Sequence, residues 1–465
     1  MSPFTTPVEH RAAVDRLRAQ LAEIPVGEPV RLAKRTSNLF RPRSSTGRPG
    51  LDVAALDKVV SVDGQALTAV VQGMTTYEHL VEATLPAGAM PLVVPQLKTI
   101  TLGGAVTGLG IESTSFRNGL PHESVISMEI LTGAGDVVTA TPDNEHADLF
   151  HAFPNSYGSL GYALSLTIEL ERTHPWVALR HVRFRDLSAL TGAIADVMST
   201  RAYAGTSVDF VDAVVFCAGE SYLTLGAWAD ELPPGVRPSD YTGREIYYRS
   251  LQTRSADYLS VHDYLWRWDT DWFWCSRAFG AQNPLLRRVW PRRWLRSDVY
   301  WRMVRVENAY HPAARLDARR GRPPLERVVQ DVEIAVDRLP DFLTWFLREV
   351  PIEPIWLCPV TLREPHGVGE VPWPLYPMRR GEHYVNVGFW SSVPILPGRR
   401  DGDVNRLVED EVSRLGGHKS LYSDSFYDEA TFHDLYGGVA YAQVKQAYDP
   451  DGRLPSLYEK AVRAR

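Results

Sequence analysis

The sequence predicts an α+β protein with two lobes, on three observations. The chain has 465 residues and a mass of 52.2 kDa, which is too long for a single hydrophobic core. Up to about residue 175, short strand-like runs alternate with turn signals and helical segments. The middle of the chain, to about Glu307, is instead rich in aromatic residues and arginine. We therefore expect a first lobe over residues 1–175, a second over 176–430, and a terminal segment, 431–465, that returns to the first.

The first lobe begins with an amphipathic helix and continues with paired strands. Val14, Leu17, Leu21 and Ile24 recur at helical spacing. Later runs alternate apolar and polar residues or flank short glycine-containing turns, as the strands of hairpins do. The predicted elements are strands at 59–62 and 66–72, a helix at 75–83, hairpin strands at 124–132 and 137–140, and a strand at 162–171.

The second lobe opens with a strand and a helix in the run HVRFRDLSALTGAIADVMS. Helical periodicity predicts a helix within residues 325–350. Strand-like runs follow at 355–362 and 384–389, and a last helix precedes a short tail. We find no repeat of fixed period, which excludes a solenoid or a propeller.

Composition and charge exclude several functional classes. A formal net charge of -6 argues against a nucleic-acid-binding protein, which needs lysine and arginine to neutralise phosphates. Cys217, Cys275 and Cys358 are widely spaced, so neither a disulfide framework nor a zinc site is predicted. The N-terminus has no apolar signal core and we find no transmembrane span, so we expect a cytoplasmic protein, with contact at the inner face of the membrane as a further hypothesis.

The first chemical feature is a glycine-rich segment within residues 94–125. Glycine permits close approach of the backbone, so its N–H groups can surround a pyrophosphate. The spacing is not the GxGxxG pattern that follows a strand in the Rossmann fold. On the pattern alone, plain turns remain the alternative to a ligand site. The glycines are Gly103, Gly104, Gly108, Gly110 and Gly119.

A family resemblance favours the ligand site. The runs TLGGAVTGLGIESTSFRNGL, EILTGAGDVVTATPDNEHADLFHAFPNSYGSLGYALSLTIEL, PIWLCPV and KSLYSDSFYDEATFHDLYGG resemble the 24-dehydrocholesterol reductase (Diminuto-like) family of the vanillyl-alcohol-oxidase superfamily. The resemblance implies an FAD-binding domain of two α+β subdomains, of the PCMH type, in residues 1–175. It also implies a substrate or cap domain in 176–430 and a C-terminal segment, 431–465, that returns to the FAD domain.

The resemblance also assigns cofactor contacts by position. The early region LAKRTSNLFRPR has no histidine or cysteine, so we expect FAD to be bound non-covalently. Lys34, Arg35 and Arg41 in that region would face the pyrophosphate, or else form a solvated basic edge. Gly161 is an implied contact, and Ile168, on the strand after it, would lie near the adenine. The remaining implied contacts are Thr99, Ile100, Thr101, Leu102, Gly103, Gly104, Thr107, Gly108, Gly110, Ile111, Glu112, Ser113, Asn118 and Gly119.

Two further segments have unusual composition. Residues 261–279 carry Trp266, Trp268, Trp272 and Trp274, which form a packed aromatic core or, if extended, line a lipid slot. Residues 287–305 interleave arginine with tryptophan and leucine. That mixture suits a membrane surface, and a solvated amphipathic helix at a lobe interface is the alternative.

The resemblance implies reduction of an isolated carbon–carbon double bond, with NADPH reducing the flavin. Because such an alkene does not accept hydride directly, it must first be protonated, and hydride from the flavin then quenches the cation. Candidate proton donors are Glu112, His262, Asp271 and Tyr422, with Lys445 as an acid partner or flavin-side group. Solvated, capping or structural roles are the alternative for each of them.

The lipid is predicted to be a 10-methylene stearoyl phospholipid, reduced to a 10-methylstearoyl (tuberculostearic) chain. This follows from resemblance to bacterial 10-methylenestearate reductases and from an arginine- and alanine-rich composition. A lipid methyltransferase is then an expected partner. The alternative substrate is a sterol with a Δ24 double bond. An FAD-dependent alcohol or sugar oxidase is the alternative enzyme, and a lipid-binding protein without flavin is the non-catalytic alternative.

Overall fold

The computed structural model describes residues 2–34, 40, 50–310, 315, 318–363 and 370–462. Two antiparallel sheets of six and eight strands dominate these residues, with helices packed against them. The prediction of an α+β fold is therefore confirmed. None of the helices in these ranges is both long and apolar enough to cross a lipid bilayer.

The N-terminal helix, α1 (Pro7–Glu23), confirms the helical spacing of its apolar residues. The Thr6 side chain accepts from the Glu9 N–H and the Glu9 carboxylate accepts from the Thr6 N–H, which together form a capping box. Val14, Leu17 and Leu21 are buried in a small core of their own. Two short strands, β1 (Leu32–Ala33) and β2 (Leu51–Asp52), pair in parallel nearby.

The six-stranded sheet is centred on the long strand β8, which pairs with β4, β5 and β6. Buried and less buried residues alternate along β8, as the sequence pattern predicts. The strands are β3 (Val59–Asp63), β4 (Thr68–Gln72), β5 (Ala89–Pro91), β6 (Val125–Leu131), β7 (Val137–Ala140) and β8 (Tyr162–Arg172). The helices of this region are α2 (Tyr77–Thr84), α3 (Leu102–Thr107), α4 (Ser115–Asn118) and α5 (Ala147–Ala152).

The eight-stranded sheet begins four residues after β8 ends, and its order is β14-β9-β13-β12-β16-β17-β15-β18. A separate hairpin is formed by β10 (Ala202–Tyr203) and β11 (Thr206–Ser207). The sheet strands are β9 (Trp176–Phe184), β12 (Phe210–Cys217), β13 (Glu220–Ala229), β14 (Ala256–Ser260), β15 (Leu325–Ala335), β16 (Ile355–Val360), β17 (Tyr384–Pro394) and β18 (His418–Lys419).

Helices lie on and around this sheet. Those before β15 are α6 (Leu187–Thr200), α7 (Tyr247–Ser250), α8 (Val261–Leu265), α9 (Pro284–Val289) and α10 (Ser297–Tyr310). The later helices are Leu339–Glu349, Asp403–Arg414, Glu429–Leu435, Gly438–Tyr448 and Leu457–Ala461.

The helix predicted within residues 325–350 is wrong in its first half, which forms β15. The run LERVVQDVEIA pairs with β17 over its whole length, from Leu325 against Pro394 to Ala335 against Tyr384. Its valines and isoleucine favour a strand with two paired neighbours, and helix formation begins only at Leu339. Long-range pairing thus overrides the local helical spacing.

The aromatic residues 261–279 are not extended. They form α8 followed by short 3-10 turns at Asp269–Asp271 and Cys275–Phe279. All four tryptophans of this segment are buried, in one core with residues of both sheets. The core interpretation therefore describes Trp266 and Trp268, while Trp272 also lines a cleft described below.

The last helices return to the first region of the chain, where Gly438–Tyr448 contacts α5. Lys445 Nζ donates to the Ser159 carbonyl at 2.8 Å, and Arg453 donates to the Leu21 carbonyl at 2.9 Å. A network of side chain to backbone bonds therefore ties residues near the C-terminus to both α1 and the turn before β8.

Candidate functional site

A cleft lies between the glycine-rich segment of the first region and one face of the eight-stranded sheet. The space free of protein atoms in and in front of it, counted out into open solvent, is about 1150 Å³. Its lining combines one stretch of backbone, a set of aromatic rings and a few polar groups. The lining residues are Lys34, Phe40, Pro95, Gln96, Leu97, Thr99, Ile100, Thr101, Gly104, Thr107, Gly108, Leu109, Gly110, Ile111, Tyr157, Trp272, Phe273, Cys275, Asp331, Trp356, Asn386, Trp390 and Tyr422.

The backbone side of the cleft is built by α3 and the loop that follows it. Thr101 caps α3, and its Oγ1 accepts from the Gly104 N–H at 3.1 Å. A Cβ on Gly108 would lie 2.7 Å from the Gly104 carbonyl oxygen, so only glycine fits there without a shift. In the described residues, no protein acceptor pairs with the backbone N–H groups of residues 109–111. All three residues line the cleft, so their N–H groups are candidates to bind an anion or a carbonyl oxygen there.

Aromatic rings line the opposite side of the cleft. The Phe273 ring lies 4.7 Å from that of Trp390 and 5.1 Å from that of Trp356, between centroids. Trp272 stacks on Phe40 at 5.8 Å. This part of the cleft is therefore apolar, and its ring faces carry the negative quadrupole that attracts positive charge.

A cluster of four hydrogen-bonded side chains interrupts the aromatic surface, and we call it the acid cluster. Asn386 Nδ2 donates to Asp331 Oδ1 at 2.9 Å. Trp390 Nε1 donates to the Tyr422 hydroxyl at 2.7 Å, and that hydroxyl is also hydrogen-bonded to Asp331. Because Asp331 on β15 faces Gly388 on β17, the strand register leaves space for the carboxyl. A Cβ on Gly388 would lie 2.5 Å from Asp331 Oδ1.

Burial makes Asp331 an acid suited to neutral pH. Burial raises the pKa of the Asp331 carboxyl to about 6, although the hydrogen bonds from Asn386 and Tyr422 oppose the rise. Burial, together with the nearby Asp331 charge, raises the pKa of Tyr422 well above its ordinary value. Burial also raises the pKa of the Cys275 thiol to about 12, so that thiol is not a nucleophile. The acid cluster therefore offers one readily exchanged proton, on Asp331.

Of the predicted proton donors, the structure places Tyr422 in the cleft and Glu112 outside it. Glu112 is buried and its Oε1 accepts from Arg267 Nη2 at 2.7 Å. The same arginine, itself fully buried, also binds Asp212 Oδ2 at 3.0 Å. Glu112 thus lies in an internal ion-pair network behind the cleft surface formed by Ile111.

The other three predicted groups also lie outside the cleft. Asp271 is buried against Arg287, with 2.7 Å between Oδ1 and Nη1, and burial raises the pKa of its carboxyl to about 7. The side chain of His262 is 50% exposed and pairs only with the neighbouring Asp263 among the described residues. Lys445 binds Asp449 Oδ2 at 2.5 Å as well as two backbone carbonyls.

The predicted cofactor contacts divide into two groups. Lys34, Thr99, Ile100, Thr101, Gly104, Thr107, Gly108, Gly110 and Ile111 line the cleft. Arg35 and Arg41 lie outside the described residues. The remaining positions do not line the cleft: Leu102, Gly103, Glu112, Ser113, Asn118, Gly119, Gly161 and Ile168.

Several of the positions that do not line the cleft make structural contacts instead. Ser113 shares a hydrogen bond of 2.7 Å with the Tyr264 hydroxyl, and Asn118 Nδ2 donates to the Leu92 carbonyl at 2.8 Å. A Cβ on Gly103 would lie 2.6 Å from the Gly73 carbonyl oxygen, so this glycine lets α3 pack on the turn after β4. Ile168 is fully buried in the six-stranded sheet.

Sequence reasoning missed Asp331, Asn386 and Trp390. Asp331 lies in the run predicted as helix, and nothing in its neighbours Gln330 and Val332 marks a functional acid. A useful signal would have been the carboxylates Asp331 and Glu333 among the valines of this run, because a buried strand rarely holds acidic residues.

Similarity to known proteins fits this geometry. A family model described as an FAD binding domain matches residues 16–141 of the chain. The chain is 25% identical over 438 residues to Delta(24)-sterol reductase of Arabidopsis thaliana, covering 89% of this chain and 77% of that protein. It is 24% identical over 418 residues to Delta(24)-sterol reductase of Homo sapiens, covering 87% and 76%. Over 113 residues, 24% of this chain and 22% of the relative, it is 31% identical to cytokinin dehydrogenase 9 of Oryza sativa subsp. japonica.

By this match, the N-terminal part of this chain has the fold of an FAD-binding domain. The predicted PCMH-type fold is thereby confirmed, and the similarity to reductases supports an FAD-linked oxidoreductase. The residues present also fit the cofactor, because the backbone N–H groups of residues 109–111 have no protein acceptor among the described residues and Gly104, Gly108 and Gly110 line the cleft beside them.

Proposed function

We propose that this protein is an FAD-dependent reductase of an isolated carbon–carbon double bond in a lipid, with Asp331 as the proton donor. One observation carries the proposal. A buried carboxyl, with its pKa raised to about 6, lies across an aromatic cleft from the glycine-rich backbone of the FAD-binding domain. Similarity to Delta(24)-sterol reductases favours the same class of reaction.

The residues that would hold FAD are those of the backbone side of the cleft, from Thr99 to Ile111. Lys34 also lines the cleft, and a lysine there suits a pyrophosphate. When bound and reduced, the flavin supplies the hydride that completes the reduction of the cation.

Asp331 would protonate the alkene. An unconjugated alkene is a very weak base, so the acid must hold its proton close to the double bond and away from water. The Tyr422 hydroxyl accepts from Trp390 Nε1 and is thereby oriented to donate to Asp331. Asn386 fixes the other side of the carboxyl. Asp331 is therefore the donor, while Tyr422 and Asn386 are positioning residues.

The aromatic side of the cleft would stabilise the positive charge that protonation creates. The faces of Trp272, Phe273 and Trp390 attract a cation by about 0.5–2 kcal/mol each when water is excluded. Protonation at the less substituted carbon leaves a tertiary cation at the other carbon. The same rings exclude water, which would otherwise add to the cation as an alcohol.

We propose 10-methylene stearoyl phospholipid as the substrate and NADPH as the reductant. Protonation of the exocyclic methylene gives a tertiary cation, which is the kind of intermediate that the acid cluster would form and the aromatic rings would stabilise. The sterol Δ24 bond also does so, and the names of the similar proteins favour it as the second candidate.

A single-turnover experiment tests the function. The purified protein is reduced with NADPH under argon and mixed with either alkene, while flavin absorption and the product mass are followed. We expect flavin reoxidation and a product two mass units heavier with one of the two lipids. Asp331→Asn should stop both, whereas His262→Ala, at the surface, should change neither. A flavin that NADPH does not reduce but an alcohol does would instead indicate an oxidase.

A further inference from the structure

A second surface, outside the cleft, combines exposed apolar side chains with arginine. Residues 284–296, which we call the exposed segment, contain α9 and the 3-10 turn Arg292–Trp294. Four apolar side chains face solvent within ten residues, whereas single exposed apolar residues elsewhere are ordinary. Their exposed fractions are 79% for Leu285, 48% for Leu286, 77% for Val289 and 47% for Trp294.

The exposed segment is also strongly basic. It contains Arg287, Arg288, Arg292, Arg293 and Arg296 and no acidic residue, in a chain whose net charge is -6. Arg287 and Arg288 line an open groove. Three further arginines, which precede the exposed segment in the chain, and a single glutamate also line it. The groove is lined by Arg244, Glu245, Ile246, Arg249, Ser250, Thr253, Arg254, Gln282, Pro284, Arg287 and Arg288.

Part of this positive charge is not paired with carboxylates of the described residues. Arg287 pairs with the buried Asp271, and Arg254 pairs with Glu245 and Asp257. For Arg288 and Arg293, by contrast, no carboxylate among the described residues lies within 4.0 Å of the guanidinium. The unpaired arginines and the exposed apolar side chains alternate along the same short stretch.

We propose that the exposed segment and the arginine groove dock this protein on a bilayer that contains anionic phospholipid. The arginines match the negative headgroups, and leucine, valine and tryptophan side chains match the boundary between headgroups and acyl chains. A soluble phosphate-bearing ligand such as NADPH would use the arginines but leaves the four exposed apolar side chains without a role. A bilayer uses both.

The exposed segment is joined firmly to the cleft. At its C-terminal end, Arg296 forms two hydrogen bonds to the Glu78 carboxylate, at 2.9 and 2.8 Å. The next helix, α10, presents Tyr300 and Trp301 to the cleft residue Trp272, with ring centroids 6.1 and 5.7 Å apart. Docking would therefore place the bilayer against an element that contacts the cleft, as a phospholipid substrate requires.

Flotation of the full-length protein with vesicles tests the proposal. We expect binding to vesicles of phosphatidylcholine with phosphatidylglycerol, and binding that weakens as salt rises, but little binding to phosphatidylcholine alone. Arg288→Glu with Arg293→Glu should weaken binding by about 25-fold or more, because each basic residue contributes about fivefold at an anionic surface. Leu285→Ser with Val289→Ser should weaken it by about tenfold or more.

Matched controls are available elsewhere on the surface. Arg16→Glu with Arg18→Glu reverses two exposed charges of α1, and Val439→Ser with Leu396→Ser changes side chains that are 74% and 61% exposed. These controls should float as the wild type does. Unchanged flotation of the charge-reversal or apolar variants, or an equal loss in the controls, would overturn the proposal.

The alternative occupant of the groove has its own signature. If the arginine variants raise the KM for NADPH while flotation is unchanged, the groove binds the reductant and the bilayer proposal is wrong. The inference does not depend on the proposed reaction, because flotation needs no substrate. Bound flavin and turnover of a detergent-dispersed alkene should be unaltered in all these variants.

Discussion

Replacing Asp331 by asparagine removes the exchangeable proton while keeping the shape of the side chain. With its pKa raised to about 6 from 3.8, the wild-type carboxyl is protonated in about 9% of molecules at pH 7, against about 0.06% at the ordinary pKa. Because a positioned general acid contributes about 10²–10⁴-fold, we expect the single-turnover rate of Asp331→Asn to fall by at least a hundredfold. The wild-type rate should fall as pH rises through about 6.

The same substitution should stabilise the fold at high pH. Because burial raises the pKa of Asp331, ionising this carboxyl costs more free energy in the folded than in the unfolded protein. The contribution of Asp331 to the free energy of unfolding is therefore complete below its ordinary pKa of 3.8 and is lost as pH rises through about 6. The rise from 3.8 to about 6 corresponds to about 3 kcal/mol. Asparagine avoids this cost, so Asp331→Asn should unfold at higher temperature than the wild type at pH 8 and at a similar temperature near pH 3.5.

Two measurements check these statements: the pH dependence of the single-turnover rate between pH 5 and 9, and thermal unfolding at both pH values. The flavin content of each sample serves as the control for folding and cofactor binding. A variant that keeps its rate at full flavin content, or a wild-type rate that rises through pH 6, would refute Asp331 as the proton donor.

Four further predictions concern the surrounding groups. Asn386→Leu removes a hydrogen bond that favours the carboxylate, so the pKa of Asp331 should rise further and the fall in rate should move to higher pH by about one unit; a move to lower pH would contradict this assignment. Gly108→Val places atoms against the Gly104 carbonyl and should yield protein with little flavin, measured by the ratio of flavin to protein absorption, and full flavin content would show that this loop does not hold the cofactor. Arg267→Met leaves two buried carboxylates unpaired and should destabilise the protein by about 3–5 kcal/mol in urea unfolding, so unchanged stability would exclude a structural role. His262→Ala, at the surface, should leave the rate and its pH dependence unchanged, and a rate that fell tenfold would return His262 to the catalytic candidates.

Part of the cleft lining could be predicted from the sequence. A run of glycines and hydroxyl residues can be interpreted from the segment alone, because the absence of side chains at the glycines lets the backbone approach a ligand without help from distant residues. Thr101, Gly104, Gly108 and Gly110 accordingly line the cleft. Tyr422 was identified only because its surrounding run resembles a known family.

The acid side of the site could not be identified in this way, because it depends on contacts between distant strands. Asp331 becomes an acid only when β15 pairs with β17, which brings Asn386 and Gly388 beside it. Glu112 shows the opposite case. Its position in the glycine-rich segment suggested chemistry, but Arg267, 155 residues later, holds it in an ion pair.

A single turnover in D₂O tests the central claim most directly. The protein is reduced under argon in D₂O and mixed with 10-methylene stearoyl phosphatidylglycerol, and the position of deuterium in the product is determined by mass spectrometry of fragments. Protonation by the exchangeable Asp331 carboxyl predicts one deuterium in the new methyl group, together with reoxidation of the flavin and loss of both in Asp331→Asn. A flavin that stays reduced with both this lipid and a Δ24 sterol, or a product whose new methyl group carries no deuterium, would contradict the account.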